Sequence, residues 1–546
     1  MEKLRLLELF SGLGSQAKAF ERVNCFNTEV VATADLDKDV VVDYAAIHCG
    51  LTNEMIENYS DYPNKEEMIK ELTEKRIGYD FVKDKPYNWE KLAKKKDKTK
   101  GIERYWLANK FGKNLGDITQ IKSLPDTDVL FFSSPCTDWS LSGRQAGGDW
   151  TCLDCGHTYN PQQYDVHERY TCPECGSHNI KSTRSGLLFE VERLLVDYQK
   201  RDSLPKYLVL ENVPALVSKK FIDYFNDWLY RLEALGYNNY WSLINAKDTG
   251  VPQNRERVFC ISIRKDIDTG KFEFPKQFDL GIRLKDVLEE DDSILEKYFL
   301  SDEIQARLKI TDPELKKSVI GTTLGEECGR FGNRDAVYNK DGIMGALTAT
   351  DYKQPKQILV SNECIQSATM MGKYEKMMDI SRRVYDEEGI SPTLHCVNGG
   401  GQETKISRNN LKVVRKLTPL ETFRLQDFDD NDYKACKDLG MSDTHAYHAT
   451  GNSICVKCIE LIAEHLYKAQ YDENYECFDE KVLSNISNFT SKTENNILDD
   501  KDIYSAASRG RYKEDGTTEQ HLEINKSGYA NAITTVQKDS YVVEID

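Results

Sequence analysis

Residues Ser133-Ser134-Pro135-Cys136-Thr137-Asp138-Trp139-Ser140 set a cysteine just beyond the apolar run Asp128-Val129-Leu130-Phe131-Phe132. That run reads as a short buried strand delivering Cys136 to its C-terminal end. Open α/β sheets build their sites at such ends. A thiolate there could act as a nucleophile, although a lone cysteine is more often a packing residue. Its company decides between the two. Lys206-Tyr207-Leu208-Val209-Leu210 is a second buried strand, and it ends in Glu211-Asn212-Val213-Pro214. A carboxylate on a neighbouring strand end could face Cys136. In Val251-Pro252-Gln253-Asn254-Arg255-Glu256-Arg257, the two arginines alternate with Glu256, so both project to one face as the strand Val258 to Ile263 begins. Gly451-Asn452-Ser453 opens a C-terminal helix over 454–469.

A second chemistry lies in Cys152-Leu153-Asp154-Cys155 and Cys172-Pro173-Glu174-Cys175. Two Cys-x2-Cys pairs separated by sixteen residues suit a tetrahedral structural zinc site. Cys152, Cys155, Cys172 and Cys175 are the expected ligands, with His157, His167 and His178 in reserve.

These groups need a scaffold. Leu4 to Phe10 is strand-like, Ser11-Gly12-Leu13-Gly14-Ser15 a turn, and Gln16 to Val23 a helix. Strand, glycine turn and helix form the first unit of a dinucleotide-type fold, where the backbone can approach a ligand closely. The third glycine of the usual fingerprint is missing, and a plain tight turn is the competing reading. A second strand, Thr28 to Ala34, ends at Asp35, placed to accept ribose hydroxyls. Asp117, in Gly116-Asp117-Ile118, could accept from an adenine amino group. A charged insertion over 53–113 holds the basic run Lys94 to Lys100; it could touch phosphates, or simply be a solvated face.

The chain has 546 residues, enough for several domains, and its net charge of −17 argues against non-specific coating of a polyanion. A local basic cleft remains compatible with that total. No apolar stretch reaches membrane-span length, and the N-terminus lacks a signal-peptide layout. Most of the cysteines outside the two pairs are scattered singly, which predicts reduced thiols and a cytoplasmic location.

In this order the stretches strongly resemble the cytosine-C5 DNA methyltransferase family. The matching residues are Phe10-x-Gly12-x-Gly14, Pro135-Cys136, Glu211-Asn212-Val213, Gln253-x-Arg255-x-Arg257, the run Arg415 to Gln426, and Gly451-Asn452-Ser453. The resemblance implies S-adenosylmethionine as methyl donor, double-stranded DNA as partner and a flipped cytosine as substrate. It assigns the catalytic roles to Cys136 as nucleophile, Glu211 as proton donor, Arg255 and Arg257 as contacts to the ring carbonyl and target phosphate, and Asn212 as shaper of the loop. The cofactor site would collect Phe10, Gly12, Leu13, Gly14, Asp35, Leu36, Asp117, Asn452 and Ser453. Leu36 departs from the larger side chain that the family often stacks on adenine.

The expected fold class is α/β: a Rossmann-like methyltransferase domain, a smaller strand-rich target-recognition domain and an inserted zinc ribbon. The catalytic domain would span 1–263, with the ribbon at 150–180 inside the active-site loop, and resume at 414–470. The ribbon is expected to extend the DNA-facing surface and move with the loop; a rigid staple is the alternative. Recognition falls to 264–413, which carries an internal repeat. Val337-Tyr338 through Gly342 to Leu347-Thr348 matches Val384-Tyr385 through Gly389 to Thr393-Leu394, each read as strand, turn and strand. Candidate DNA contacts there are Lys353, Lys356, Lys373, Lys376, Arg382, Arg383, Lys405, Arg408 and the loop Asn398 to Gln402. Residues 471–500 read as a polar linker, and 501–546 as an extension with a third repeat copy that packs back on the recognition domain. A monomer and a cognate restriction enzyme are the expected assembly and partner, in a bacterial or phage setting at the nucleoid. The competing functions are tRNA cytosine methylation and a catalytically silent DNA-binding relative.

Overall fold

The computed structural model describes residues 2–80, 83, 85–134, 148–183, 185–277, 279–289, 296–298, 309–310, 317–323, 336–353, 355–359, 384–385, 405–406, 414–475, 502–512, 518–525 and 540–545. Residues 1–475 and 476–546 form two separate units. In the first, six strands make one mixed sheet: β1 (Glu2–Leu9), β2 (Phe26–Ala34), β3 (Val129–Phe132), β4 (Tyr207–Asn212), β5 (Tyr237–Asn245) and β6 (Glu256–Arg264). Their order across the sheet is β2-β1-β3-β4-β6-β5. The first four run parallel, and β6 is antiparallel to both of its neighbours.

Both faces of the sheet are covered, as a parallel sheet requires. Along β1, Leu4 and Leu6 enter one core and Leu7 and Leu9 the other. The first core is closed by α1 (Ser15–Arg22), α2 (Lys38–Cys49) and the C-terminal helix Val456–Tyr471. The second is closed by α3 (Leu188–Lys200) and α4 (Ile222–Ala234). Local signals set the ends of α2: the Asp37 carboxylate accepts from the Asp39 and Val40 amides, and Gly50 leaves the helix at φ 63°. The charged insertion is helical, and its helix Ile102–Phe111 shares the first core with α2. Of its basic run, Lys94, Lys95 and Lys96 are exposed, while Lys98 donates to the Glu57 carbonyl at 3.0 Å.

Glu8 of β1 faces the first core and is fully buried. It accepts from the Ala17 amide at 2.9 Å and the Tyr44 hydroxyl at 2.5 Å. Burial pushes its carboxyl up to about 7, against the pull of those two bonds. A raised folded-state value means that the native state holds the proton more tightly than the unfolded chain. This contribution is present below the ordinary carboxylate range and is lost as pH rises through about 7. Relative to Glu8→Gln, the wild-type protein should therefore lose about 3 kcal/mol between pH 4.5 and 7.5. Urea unfolding of both proteins across that range checks it, and a constant difference would refute it.

The expected helix over 454–469 differs in its start. Asp443–Asn452 is already helical, capped by the Ser442 hydroxyl, and the next helix begins at Val456. The Gly-Asn-Ser motif thus closes one helix and turns toward another. Gly451 leaves no room for a side chain, since a Cβ would come 2.3 Å from the Thr348 backbone.

The first repeat is not a hairpin. Ala336–Asn339 lies in a five-stranded sheet, whereas Met344–Gly345 pairs in parallel with Gln253–Asn254. The physical reason is the Gln253 side chain, which accepts from the Leu347 amide at 3.0 Å and draws that segment to the strand Gln253–Asn254. In the second copy Val384–Tyr385 pairs with Lys405–Ile406, and most of the remainder lies outside the described residues. Lys356 is buried, 3.9 Å from Asp351, so it is not a surface contact. Lys373, Lys376, Arg382, Arg383, Arg408 and Asn398 to Gln402 lie outside the described residues, as does the side chain of Lys405. The second unit is a three-stranded antiparallel sheet of Asp502–Tyr512, Thr518–Asn525 and Ser540–Ile545; 526–539 lies outside the described residues.

Candidate active site

Register alone brings the site residues to one edge. Leu9 pairs with Ala34 on one side and with Phe132 on the other, and Phe132 pairs with Leu210. The next residues along these four strands are Asp35, Phe10, Ser133 and Glu211. Pro135 and Cys136 lie outside the described residues, but Ser134 immediately precedes them. The Asn212 amide donates to the Ser134 carbonyl at 3.2 Å and sits 3.3 Å from its hydroxyl. One strand end thereby pins the exit of the other.

β6 starts where β4 ends, because the two are antiparallel. Phe259 faces Glu211 directly, so Arg257, two residues earlier, is a diagonal neighbour on the same face. Its Nε lies 3.2 Å from Glu211 Oε1. Burial holds the Glu211 carboxyl above its usual range, and Arg257 and Arg255 pull it partly back. The two arginines have different surroundings. Arg257 keeps 17% of its side chain exposed. Arg255 is buried and donates to the carbonyls of Leu347 at 2.9 Å, Gly451 at 3.3 Å and Ser453 at 2.6 Å.

The glycine turn lies beside Asp35. The Gly12 amide donates to Asp35 Oδ2 at 3.0 Å, and Gly12 and Gly14 have φ 55° and 77°. A Cβ on Gly14 would come 2.2 Å from His48 Nε2, which bonds the Leu13 carbonyl at 2.9 Å. A Cβ on Gly12 would meet no described protein atom within 4 Å, so its outer face is open. Ser15 and Ser453 hydroxyls touch at 2.7 Å and join the first helix to the Gly-Asn-Ser turn. Asn452 is exposed and contacts His448. Leu36 is half-buried; its carbonyl accepts from Gly78. Asp117 is buried and paired with Arg76 at 3.0 Å.

Sequence reading missed Asn114. It takes the Asp35 amide and gives to the Asp35 carbonyl, both at 2.9 Å, and a bridge to Thr33 extends the sheet edge. An asparagine just past the end of a charged insertion carries no local signal of that role. The Arg415 run is a brace: Arg415 makes a buried two-point pair with Glu421, at 2.9 and 2.7 Å, over a Thr418–Glu421 capping box.

The four ribbon cysteines come together. Their sulfurs lie within 4.8 Å of one another, with Cys152–Cys175 and Cys155–Cys172 at 3.6 Å. The two knuckles repeat one geometry: Gly156 and Gly176 amides each donate back to the first cysteine carbonyl, at φ 78° and 72°. This donor set is compatible with zinc. The reserve histidines are engaged elsewhere: His157 stacks on Tyr159, His167 contacts Lys200 and His178 contacts Thr171. Trp150 packs on Phe189 of α3, and Arg169 is buried against Glu192 of the same helix.

The sheet belongs to the α/β class, with the glycine turn and the carboxylate-guanidinium pair at the ends of its strands. Residues 86–151 and 174–468 match the family model for C-5 cytosine-specific DNA methylase. The chain is 30% identical over 474 residues to the type II methyltransferase M2.ScrFI of Lactococcus lactis subsp. cremoris, covering 86% of this chain and 100% of that protein. It is 30% identical over 467 residues to the orphan methyltransferase M.SssI of Spiroplasma monobiae, covering 85% and 97%. Orphan methyltransferase M.SPBetaI of Bacillus phage SPbeta is 25% identical over 503 residues, covering 85% and 98%. The chain belongs to the C-5 cytosine-specific DNA methylase family and is a DNA (cytosine-5-)-methyltransferase. The family takes its methyl group from S-adenosylmethionine. The two blocks matched to the family model are separated by 152–173, most of the ribbon. Among the described residues no helix is long and apolar enough to cross a membrane.

Proposed function

We propose that this enzyme methylates a cytosine extruded from a specific sequence of duplex DNA, with Cys136 as nucleophile and Glu211 as proton donor. The observation that carries the reading is the Glu211–Arg257 pair beside the strand end from which Cys136 follows. Cytosine C5 is a poor nucleophile. Addition of the Cys136 thiolate to C6 makes C5 enamine-like and pushes electrons toward N3, where protonated Glu211 donates. When bound, S-adenosylmethionine supplies an electrophilic methyl group. A base then removes the C5 proton, the C6–sulfur bond breaks to release the thiolate, and N3 returns its proton to Glu211. Arg257 holds the ring carbonyl. Arg255 is a positioning residue, because its guanidinium serves Leu347, Gly451 and Ser453. Asn212 sets the exit of the loop through Ser134.

Phe10, Gly12, Leu13, Gly14, Asp35, Leu36, Asp117, Asn452 and Ser453 would hold the cofactor. The open face of Gly12 beside the Asp35 carboxylate supports that fit. Zinc fits the ribbon: bonds of about 2.3 Å to four tetrahedral thiolates put sulfurs about 3.8 Å apart, close to the observed 3.6 Å. Residues 264–413 serve as target-recognition domain, 471–500 as linker and 501–546 as an extension. The protein works as a cytoplasmic monomer, with or without a cognate restriction enzyme. Methyl incorporation into duplex DNA and into tRNA separates the readings. Incorporation into duplex DNA alone is expected; tRNA as the better substrate would overturn the assignment.

A further inference from the structure

The ribbon lacks what a DNA-binding surface needs. Between Asp149 and Lys181 its acidic residues are Asp149, Asp154, Asp165, Glu168 and Glu174, against Arg169 and Lys181. Arg169 has no exposed surface. Phosphate contacts require accessible basic groups. The ribbon is instead built inward. Arg169 Nη2 donates to Glu192 Oε2 at 2.8 Å, and Arg231 Nη1 donates to Glu192 Oε1 at 2.7 Å. Glu192 thus joins the ribbon to both α3 and α4. Nε and Nη1 of Arg169 have no hydrogen-bond partner among the described residues, so Glu192 is its charge partner. Tyr170 donates to Glu190 at 2.7 Å, and Arg231 also donates to the Gln162 carbonyl.

The base of the ribbon is where the chain returns from the Cys136 segment. Asp149 accepts from Tyr224 of α4, and Trp150 follows directly, packed on Tyr170 and Phe189. The departing chain crosses the same point, since a Cβ on Gly186 would come 2.7 Å from Trp150 Nε1. Arg169 and Tyr170 precede the second cysteine pair, and Trp150 precedes the first. The four thiolates therefore govern whether these three side chains stay seated.

We propose that the ribbon is a metal-locked strut: zinc on its four thiolates keeps Arg169, Tyr170 and Trp150 seated on α3 and α4, fixing the far end of the Cys136 segment and setting the rate of methyl transfer rather than DNA affinity. This rests on the zinc and methyl-transfer readings above. Removing the metal frees the knuckles, Arg169 leaves Glu192, and the loop loses its fixed end.

The test compares full-length wild type with Cys155→Ser, which cuts the metal site, and Arg169→Met, which cuts the seat and leaves all four thiols. Released zinc, S-adenosylmethionine affinity by calorimetry, duplex affinity, and the rate of covalent trapping by a 5-fluorocytosine duplex at saturating DNA are measured for each. Wild type and Arg169→Met should carry zinc, and Cys155→Ser should not. Both variants should trap the duplex at least about tenfold more slowly, with cofactor and duplex affinities unchanged. Arg169→Lys should recover part of the rate. Should Arg169→Met fail to fold, Tyr170→Phe gives the same comparison with a slowing of about threefold. Wild-type trapping rates in Arg169→Met or Tyr170→Phe overturn the proposal, as does a Cys155→Ser defect confined to duplex affinity. Wild type that carries no zinc defeats it at the metal. Wild type that methylates no duplex DNA would instead defeat the underlying reading of function, which is measured separately.

Discussion

Cys136→Ser is expected to lower methyl transfer by about three orders of magnitude or more. Cofactor binding should remain, because the glycine turn, Asp35 and the Gly-Asn-Ser turn are held by their own contacts, Gly12 to Asp35 and Ser15 to Ser453. A serine hydroxyl is a far weaker nucleophile than a thiolate, and even an unperturbed thiol near pH 8.5 is only partly ionised at neutral pH. No other cysteine among the described residues can substitute at that edge. Cys260, the cysteine of β6, is buried in the second core, and burial pushes its thiol up to about 12. Single-turnover methylation and covalent trapping by a 5-fluorocytosine duplex check the result. A variant that still forms the covalent adduct would remove residue 136 from the mechanism.

Glu211→Gln carries the second large effect, a loss of about 10² to 10⁴ in the transfer step with duplex affinity retained. The reason lies in the surroundings of the carboxyl. Burial raises it above the ordinary range, while Arg257 and Arg255 keep it from rising further. A raised value extends the protonated, donor-competent form toward neutral pH. As pH rises through that value the donor is lost, while the thiolate of Cys136 is gained. The wild-type rate should therefore pass through a maximum. In Glu211→Gln the alkaline descent should vanish and leave only the rising limb. Transfer rates measured from pH 5.5 to 9 decide it, and a variant with wild-type rate and the same bell would sink the donor role.

How much of this was legible depended on how local each signal was. Strand ends were readable because Val129 to Phe132 and Tyr207 to Leu210 are unbroken apolar runs, fully buried as found. The cysteine spacing gave a four-thiolate cluster because each knuckle is a local turn, closed by its own glycine. The repeat misled for the opposite reason. Its pattern suggested a hairpin, but Met344 pairs with Gln253, ninety-one residues away, through a contact that no local pattern encodes.

Residue types and spacing alone supplied the candidates for the chemistry: a cysteine, a carboxylate, two guanidinium groups, a glycine turn and four thiolates. Tertiary structure decided which of them work together. It gave Arg257 to Glu211 and Arg255 to three backbone carbonyls, although the two are only two residues apart. It also seated the ribbon on α3 and α4 through a buried charge shared by Arg169, Glu192 and Arg231. Alternation along a strand fixes the face to which a side chain points, but the partner waiting there is set by which distant strands and helices pack alongside.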